Sequence, residues 1–354
     1  MDKTRTASVP RGALEALPKW LICVPLVLQW LWLSLRYGSV TLPSAVNPAI
    51  TAGGLVGETK LEYFRGMGAL ARAATARHCA LPPGHHSLTG VRIAMAQAGL
   101  VFPLVVKPDL GMCGFGVRLV RDEAALMAYL ALFPPDQQGV LQEYLPQEGE
   151  AGIFYAREPG ARQGRIIGLA LRYFPRVTGD GSATLAELIA ADPRASRVQG
   201  RRDHDTVPSP GRVPARGEVV RLATIGSTRV GGLYRDASAC ITPALTAAIE
   251  AIARDMPAFY AGRFDVRFED LQQLAEGRGL KIMEINGAGS EAIQAWDPDI
   301  GLLAAFCIIF AKQRVLFAIG AANRRRGHRP IGLLRLAQLH VMQQRLLDAY
   351  PPSN

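Results

Sequence analysis

Lysine is scarce in this chain, with six among 354 residues, so the formal net charge of +10 is carried mainly by arginine. Cysteine is scarce as well. Five residues, at positions 23, 79, 113, 240 and 307, are odd in number and widely spaced and include no C-x-x-C pair. That excludes a disulfide framework and points to a reducing, cytoplasmic compartment. No nucleic-acid-binding motif accompanies the basic balance, so nucleic acid is not expected as a partner. Nucleotide phosphates or an anionic membrane face remain as targets for the excess positive charge. The apolar run from Trp20 to Leu35 is shorter than the roughly 20 residues that a bilayer-spanning helix requires. A signal-peptide reading fits it poorly, because the preceding region is long and acidic as well as basic, and no small-residue cleavage site follows. The six histidines include one cluster, His78-Cys79 with His85-His86, whose Pro-Pro-Gly context predicts exposed loop polars ahead of a metal site.

What is present is enough apolar residue, 49% of the chain, to bury a large core divided into two or three lobes. The most informative stretch is Gly262-Arg-Phe-Asp-Val-Arg-Phe268, followed by Leu280-Lys-Ile-Met-Glu-Ile-Asn-Gly287. Strand side chains alternate between faces, so Phe264, Val266 and Phe268 are expected on one side and Arg263, Asp265 and Arg267 on the other. The same period puts Ile282, Glu284 and Asn286 on a shared face of the second strand. If glycines at 277 and 279 turn the chain back, Asp265, Glu284 and Asn286 converge beside Arg263. Such an oxygen-rich spot suits Mg2+, or Mn2+ in its place, because a small hard cation takes carboxylate and amide oxygens together with substrate phosphates. The competing reading is a solvated polar face of an ordinary hairpin.

Upstream, Pro103-Leu-Val-Val-Lys107-Pro reads as a buried strand ending in a lysine, and Gly111-Met-Cys-Gly114-Phe-Gly116 as a glycine-rich loop returning to a strand near Val117. Strand, lysine and glycine loop form a sensible phosphate clamp, since glycines admit backbone N–H groups close to an anion and lysine adds a point charge. The loop leads to a strand, so neither the dinucleotide nor the Walker fingerprint applies. Lys60, in the turn-rich stretch from 38 to 60, is a second lysine able to reach a phosphate. Asp122 is expected to cap a helix reaching about Leu132. Val140 to Leu145 predicts a strand, with Glu150 beyond it, and strands follow around 153–156 and 166–174. Thr184-Leu-Ala-Glu187 is a capping box. Residues 194–216, rich in Arg, Pro, Ser and Gly, predict a loop. Thr242-Pro243 opens a helix whose apolar face is Leu245, Ile249 and Ile252.

In this order the features resemble the ATP-grasp superfamily, over roughly residues 95–300. Val106-Lys107-Pro108 looks like its ATP lysine, and Gly111, Gly114 and Gly116 like its flexible phosphate loop. Gln142-Glu143-Tyr144-Leu145 resembles the adenine hinge, with Glu150 at the ribose position. Gly262-Arg263-Phe264-Asp265 and Glu284-Ile285-Asn286 resemble the phosphate-contacting arginine and the magnesium ligands. Val177 to Leu188 is similar to a stretch in cyanophycin synthetase, and the paired strands resemble D-alanine:D-alanine ligase. Arg172 falls where those relatives place a basic residue near the phosphates. The family's upstream second lysine has Lys60 as its sole counterpart, at an awkward distance, and the N-terminal region lacks the usual run of strands and glycines of a pre-ATP-grasp domain.

The resemblance implies an α/β fold with α+β lobes. Residues 1–95 would form an apolar helix-and-loop region, 96–300 the ATP-grasp domain and 301–354 closing helices. It further implies an ATP- and Mg2+-dependent ligase joining small-molecule carboxylate and amine substrates through an acyl phosphate, on a hydrophobic or amino-acid-derived substrate. Arg263 and Arg172 would then act in catalysis, and the amides of Gly287 to Gly289 would assist the oxyanion. The alternatives are a membrane-associated nucleotide-binding protein without turnover and an ATP-grasp phosphotransferase. For Trp20 to Leu35 three readings stay open: a core helix, an interfacial helix making peripheral membrane contact through residues 20–35, and a short span. Flanking cations and Trp20, Trp30 and Trp32 favour the interfacial one. Arg324 to Arg329 would suit acidic headgroups equally. The oligomeric state is not legible.

Overall fold

The computed structural model describes residues 11–84, 87–198 and 209–354. His85-His86 and the middle of the Arg-rich loop lie outside the described residues. The expected mixture of helix and sheet is organised around two antiparallel sheets. In the smaller, β1 (His78–Leu81), β2 (Leu104–Pro108), β3 (Arg118–Val120) and β4 (Gly139–Glu143) run in the order β1-β4-β2-β3. In the larger, β5 (Gly149–Ala156), β6 (Arg165–Tyr173), β9 (Leu233–Asp236), β10 (Ala261–Phe268) and β11 (Leu280–Asn286) run in the order β11-β10-β5-β6-β9. A ribbon of β7 (Arg176–Thr178) and β8 (Val219–Arg221) stands apart.

Helices α1 (Ala13–Ala16), α2 (Lys19–Tyr37), α3 (Lys60–Arg65), α4 (Ala69–Ala74), α5 (Leu88–Gln97) and α6 (Glu123–Leu132) belong to the first half of the chain. Helices α7 (Leu185–Ala191), α8 (Pro243–Arg254), α9 (Leu271–Ala275), α10 (Leu302–Arg325) and α11 (Leu333–Ala349) complete the set. The expected starts hold: Asp122 accepts from the Ala125 amide, Thr184 and Glu187 cap each other's amides, and Thr242 accepts from the Leu245 amide. Each such cap satisfies an N–H that the first helical turn leaves unpaired, worth about 1 kcal/mol.

Burial divides the large sheet into two unlike faces. Leu245, Ile249 and Ile252 of α8, with Leu61, Phe64 and Ala71 of α3 and α4, cover Phe264, Val266, Phe268, Ile153 and Leu169. Fully burying each such aliphatic or aromatic chain stabilises the fold by about 1.5–3 kcal/mol. The opposite face carries the polar side chains. The small sheet has its own core, in which Val91, Met95, Leu126, Tyr129, Leu130 and Tyr350 pack from α5, α6 and the end of the chain. β1 lies in that sheet beside β4, so the expected boundary at 95/96 separates a strand from its partner.

β10 and β11 pair antiparallel as expected, joined through the short helix α9 and a turn in which Gly277 and Gly279 have φ of +76° and +67°. One local expectation is corrected. A bulge interrupts their pairing: Asp265 faces Glu284, but Val266 faces Ile282. The extra residue, Met283, reverses the alternation, so Ile282 joins Ile285 in the core and leaves the face that bears Glu284 and Asn286. α2 and α10 run parallel along their length, with Ile22 in one cluster with Ala305 and Leu33 in another with Phe317, and Gln29 Nε2 donating to Phe310 O at 2.9 Å.

Candidate nucleotide site

The polar face of the large sheet gathers charge from three neighbouring strands. Register puts Glu150 of β5 between Arg172 of β6 and Arg267 of β10, and Asp265 opposite Glu284. Arg172 Nη1 lies 3.1 Å from Glu150 Oε1 and 3.3 Å from Asp265 Oδ2. Arg263 grips Asp265 in a two-pronged contact, Nε to Oδ1 at 2.6 Å and Nη2 to Oδ2 at 3.0 Å. Arg267 Nη2 completes the network at 3.2 Å from Glu150 Oε2. Burial alone would raise the Asp265 pKa, but the Arg263 and Arg172 guanidiniums outweigh it and hold that carboxyl below the usual range. Asn286 Nδ2 donates to Asp265 Oδ2 at 3.2 Å.

The two lysines arrive from other elements. Lys107, at the end of β2, donates to Gln142 Oε1 at 2.7 Å and to Met283 O at 3.1 Å, so it bridges the two sheets. Its burial, reinforced by the charge on Lys60, pushes its pKa down to about 8 against the opposing pull of Glu284. Lys60, the first residue of α3, is 7% exposed, with Nζ 3.5 Å from Glu284 Oε1 and 3.3 Å from Asp109 O. The distance in sequence that made Lys60 an awkward counterpart is closed by the loop before α3. Ala288 N donates to Gly53 O at 3.2 Å and Gly289 N to Gly54 O at 2.6 Å. Those two amides are therefore occupied, which corrects the expectation that they face an oxyanion.

The glycine loop lies beside this cluster. A Cβ placed on Gly111 would sit 3.5 Å from Lys60 Nζ, and Gly114 and Gly116 adopt φ of +76° and +67°, a region that favours glycine. Three contacts hold the loop. Arg229 Nε donates to Cys113 O at 3.1 Å and its guanidinium covers the Phe115 ring at 4.3 Å, while Tyr129 OH donates to Gly116 O at 2.7 Å.

Glu143 of the expected hinge and Glu150 at the expected ribose position both have partners within the protein. Glu143 N donates to Arg77 O at 2.9 Å, and its carboxylate accepts from Arg77 Nε at 2.7 Å. Glu150 is 4% exposed and neutralised by Arg172 and Arg267, so it does not stand free for a ribose hydroxyl. Tyr144 and Leu145 follow β4, half-buried. His78 stacks on Phe64 with ring centroids 4.1 Å apart, a packing role. Among the described residues no group of three or more His, Cys, Asp or Glu side chains is placed to hold a metal by itself. Two shallow concavities, of about 500 Å³ at Met67 to Ala73 and about 600 Å³ between Asp136 and α11, lie away from the charged face.

Lys312 had no sequence signal, because it sits inside the apolar helix α10. Its ammonium lies 5.1 Å from the Phe154 ring centre, donates to Ser290 O, and is pushed down to about 7 by burial, with Glu291 opposing. Phe154 pairs with Arg263 across β5 and β10, so Lys312 stands at the rim of the same face. Glu58, next to Lys60, has its pKa raised by burial.

No family model matches the sequence, and no curated protein matches it. Solved structures similar to the chain include a D-alanine--D-alanine ligase from Bacillus anthracis, at 14% identity and TM-score 0.44 over 78% of this chain and 72% of that one. A bifunctional glutathione synthetase from Pasteurella multocida is similar at 17% identity and TM-score 0.37, over 72% of this chain. The chain spans 35% of that enzyme's length. D-Cycloserine synthetase is similar at 16% identity and TM-score 0.37, over 75% of this chain and 69% of that one.

Proposed function

We propose that the chain has an ATP-grasp fold and is an ATP-dependent carboxylate–amine ligase. The observation that carries the reading is the meeting of Lys60, Lys107, Arg172 and Arg263 with Asp265, Glu284 and Asn286 where the two sheets join. Four cations around three oxygen-bearing side chains suit a polyphosphate, whose transfer depends on positioning and charge neutralisation more than on covalent help from the protein. In the reaction so proposed, a substrate carboxylate oxygen attacks the γ-phosphorus of ATP, the bond to the β-phosphate oxygen breaks, and ADP leaves. An amine then attacks the acyl carbon, and the C–O bond to phosphate breaks to release inorganic phosphate with formation of the amide. Arg263 and Arg172 exchange part of their hold on Asp265 for the incoming phosphates. Lys312, with an unusually accessible neutral form and a place beside Arg263, takes the amine's proton.

The donor set fits a magnesium ion in part. Glu284 and the Asn286 carbonyl oxygen would hold it, with Asp265 behind them still tied to its arginines, and one or two carboxylates suffice when phosphates complete the shell. When bound, the ion would neutralise phosphate charge. Incubation with ATP, Mg2+ and pools of amino acids and other carboxylates tests the reading. A ligase releases ADP and phosphate together and yields a joined product. A phosphotransferase leaves the phosphoryl group on one substrate, and a binding protein releases nothing; either result contradicts the proposal.

A further inference from the structure

Helix α2 presents to solvent a face that no water-facing helix ordinarily carries. Trp20, Leu21, Val24, Val27, Leu28, Leu31, Trp32 and Leu35 are each between 40% and 84% exposed, and no charged residue stands between Lys19 and Arg36. A surface helix normally turns such residues inward and polar ones outward. Here the inward face is already used. Ile22, Leu26 and Leu33 pack on α10, which is itself tied to the domain through Lys312 and through Asn323, whose Nδ2 donates to Ala45 O and Val46 O at 2.9 Å.

The charge around this face is as uneven as its polarity. Between Glu15 and Glu58, and again between Asp299 and Asp348, the sequence contains no acidic residue. Those two stretches hold ten cations, Lys19 and Arg36 in the first and eight more in the second, which leaves thirty cations against thirty acids in the remainder. The whole net charge of the chain thus resides in the two stretches that contain α2, α10 and α11. The structure brings part of it together: Arg324 Nη2 donates to Tyr37 O at 2.7 Å, and Arg36 lies 5.5 Å from the Trp32 ring centre, so the C-terminal ends of α2 and α10 share one basic cluster with Arg325.

We propose that α2 docks this protein on an anionic lipid bilayer, lying along the interface with its apolar face in the headgroup boundary and the basic cluster on the phosphates. Tryptophans at both ends of the bare face and cations beyond them are the composition such a helix needs. α2 and α10 are each long and apolar enough to cross a bilayer, but α10 is bonded to the domain through Lys312 and Asn323, and α2, packed along it, is placed to lie on the membrane. Self-association through the same face would press two such basic surfaces together, which like-charge repulsion opposes.

The test is flotation of the full chain with vesicles of phosphatidylcholine alone and of equal parts phosphatidylcholine and phosphatidylglycerol. The expected result is binding at least about tenfold tighter to the anionic vesicles and weakened by salt, because each arginine near such a surface adds attraction. Leu28→Glu with Leu31→Glu abolishes flotation while the thermal midpoint holds. Arg325→Glu with Arg329→Glu, both on exposed positions, removes the preference for anionic vesicles even if the first variant fails to fold. Absence of flotation, flotation unchanged in both variants, or a sedimenting dimer that Leu28→Glu/Leu31→Glu splits into monomers without any vesicle binding would overturn the proposal. Vesicle binding is measured without nucleotide, so its outcome stands apart from that of the ligase reading.

Discussion

Glu150 and Asp265 illustrate how the polar face is held together. Both are almost fully buried, and each is neutralised by two arginines, with Arg172 common to both. Breaking a buried ion pair from one side strands the other charge, which costs about 3–5 kcal/mol. Arg172→Ala is therefore expected to lower the unfolding free energy by that amount in urea titrations, and a loss within experimental error would show that water already screens the pair. Glu284 is more exposed and its single ion pair is a long one, 3.5 Å to Lys60, so Glu284→Gln should leave stability nearly unchanged while lowering turnover about a hundredfold. Unchanged turnover would remove Glu284 from the metal assignment.

Lys312 gives a pH signature. Burial depresses its pKa from 10.5 in the unfolded chain to about 7 in the folded one, so between these values the unfolded state binds the extra proton. Its contribution to stability is accordingly complete above pH 10.5 and is lost as pH falls toward 7. Chemical denaturation across that window should show stability rising with pH, and Lys312→Met should flatten the rise; equal slopes in both proteins would contradict the assignment. Among these residues, Arg263, Asp265 and Arg267 were placed on one face by strand alternation alone, as the structure has them. Lys312 was not legible, because a lysine inside an apolar helix reads as an interruption until its neighbours in space are known.

At the scale of elements, the site depends on the close approach of two glycine turns. A Cβ on Gly54, which has φ of +75°, would fall 2.5 Å from Gly287 Cα, so any side chain there forces the two turns apart. Gly54→Ala is expected to lower stability by about 1–3 kcal/mol, read as a fall in thermal midpoint, and to weaken nucleotide binding. A variant that melts and binds as the wild type does would show the turns to be independent. Helix starts at Asp122, Thr184 and Thr242 were legible because capping is local chemistry between residues three apart. The bulge at Met283 was read over, although Ile282 and Met283 stand side by side and break the alternation of Leu280 to Asn286 there; that the extra residue is a bulge is defined by its partner strand. The same limit hid the destination of Glu150, which three strands decide.

At the scale of the molecule, the two-sheet arrangement joins a lysine strand, a glycine loop and a charged strand pair that are far apart in sequence. Their order along the chain made the nucleotide reading accessible before any coordinate. What the order did not reveal is that the region before residue 95 supplies β1 to the small sheet and Lys60 to the charged cluster. Long-range pairing of this kind leaves no local periodicity to detect. It also makes the N-terminal region part of the charged cluster.

The central claim is that triphosphate binds where Lys60, Lys107 and the Arg263–Asp265 pair converge. Calorimetric titration of ATP in the presence of Mg2+ tests it most directly, with the wild type compared with Lys107→Ala after circular dichroism has shown both to be folded. Saturable binding that weakens at least about tenfold in the variant is the predicted result, since a charge-assisted contact to phosphate is lost. No binding by the wild type, or equal binding by both, would contradict it.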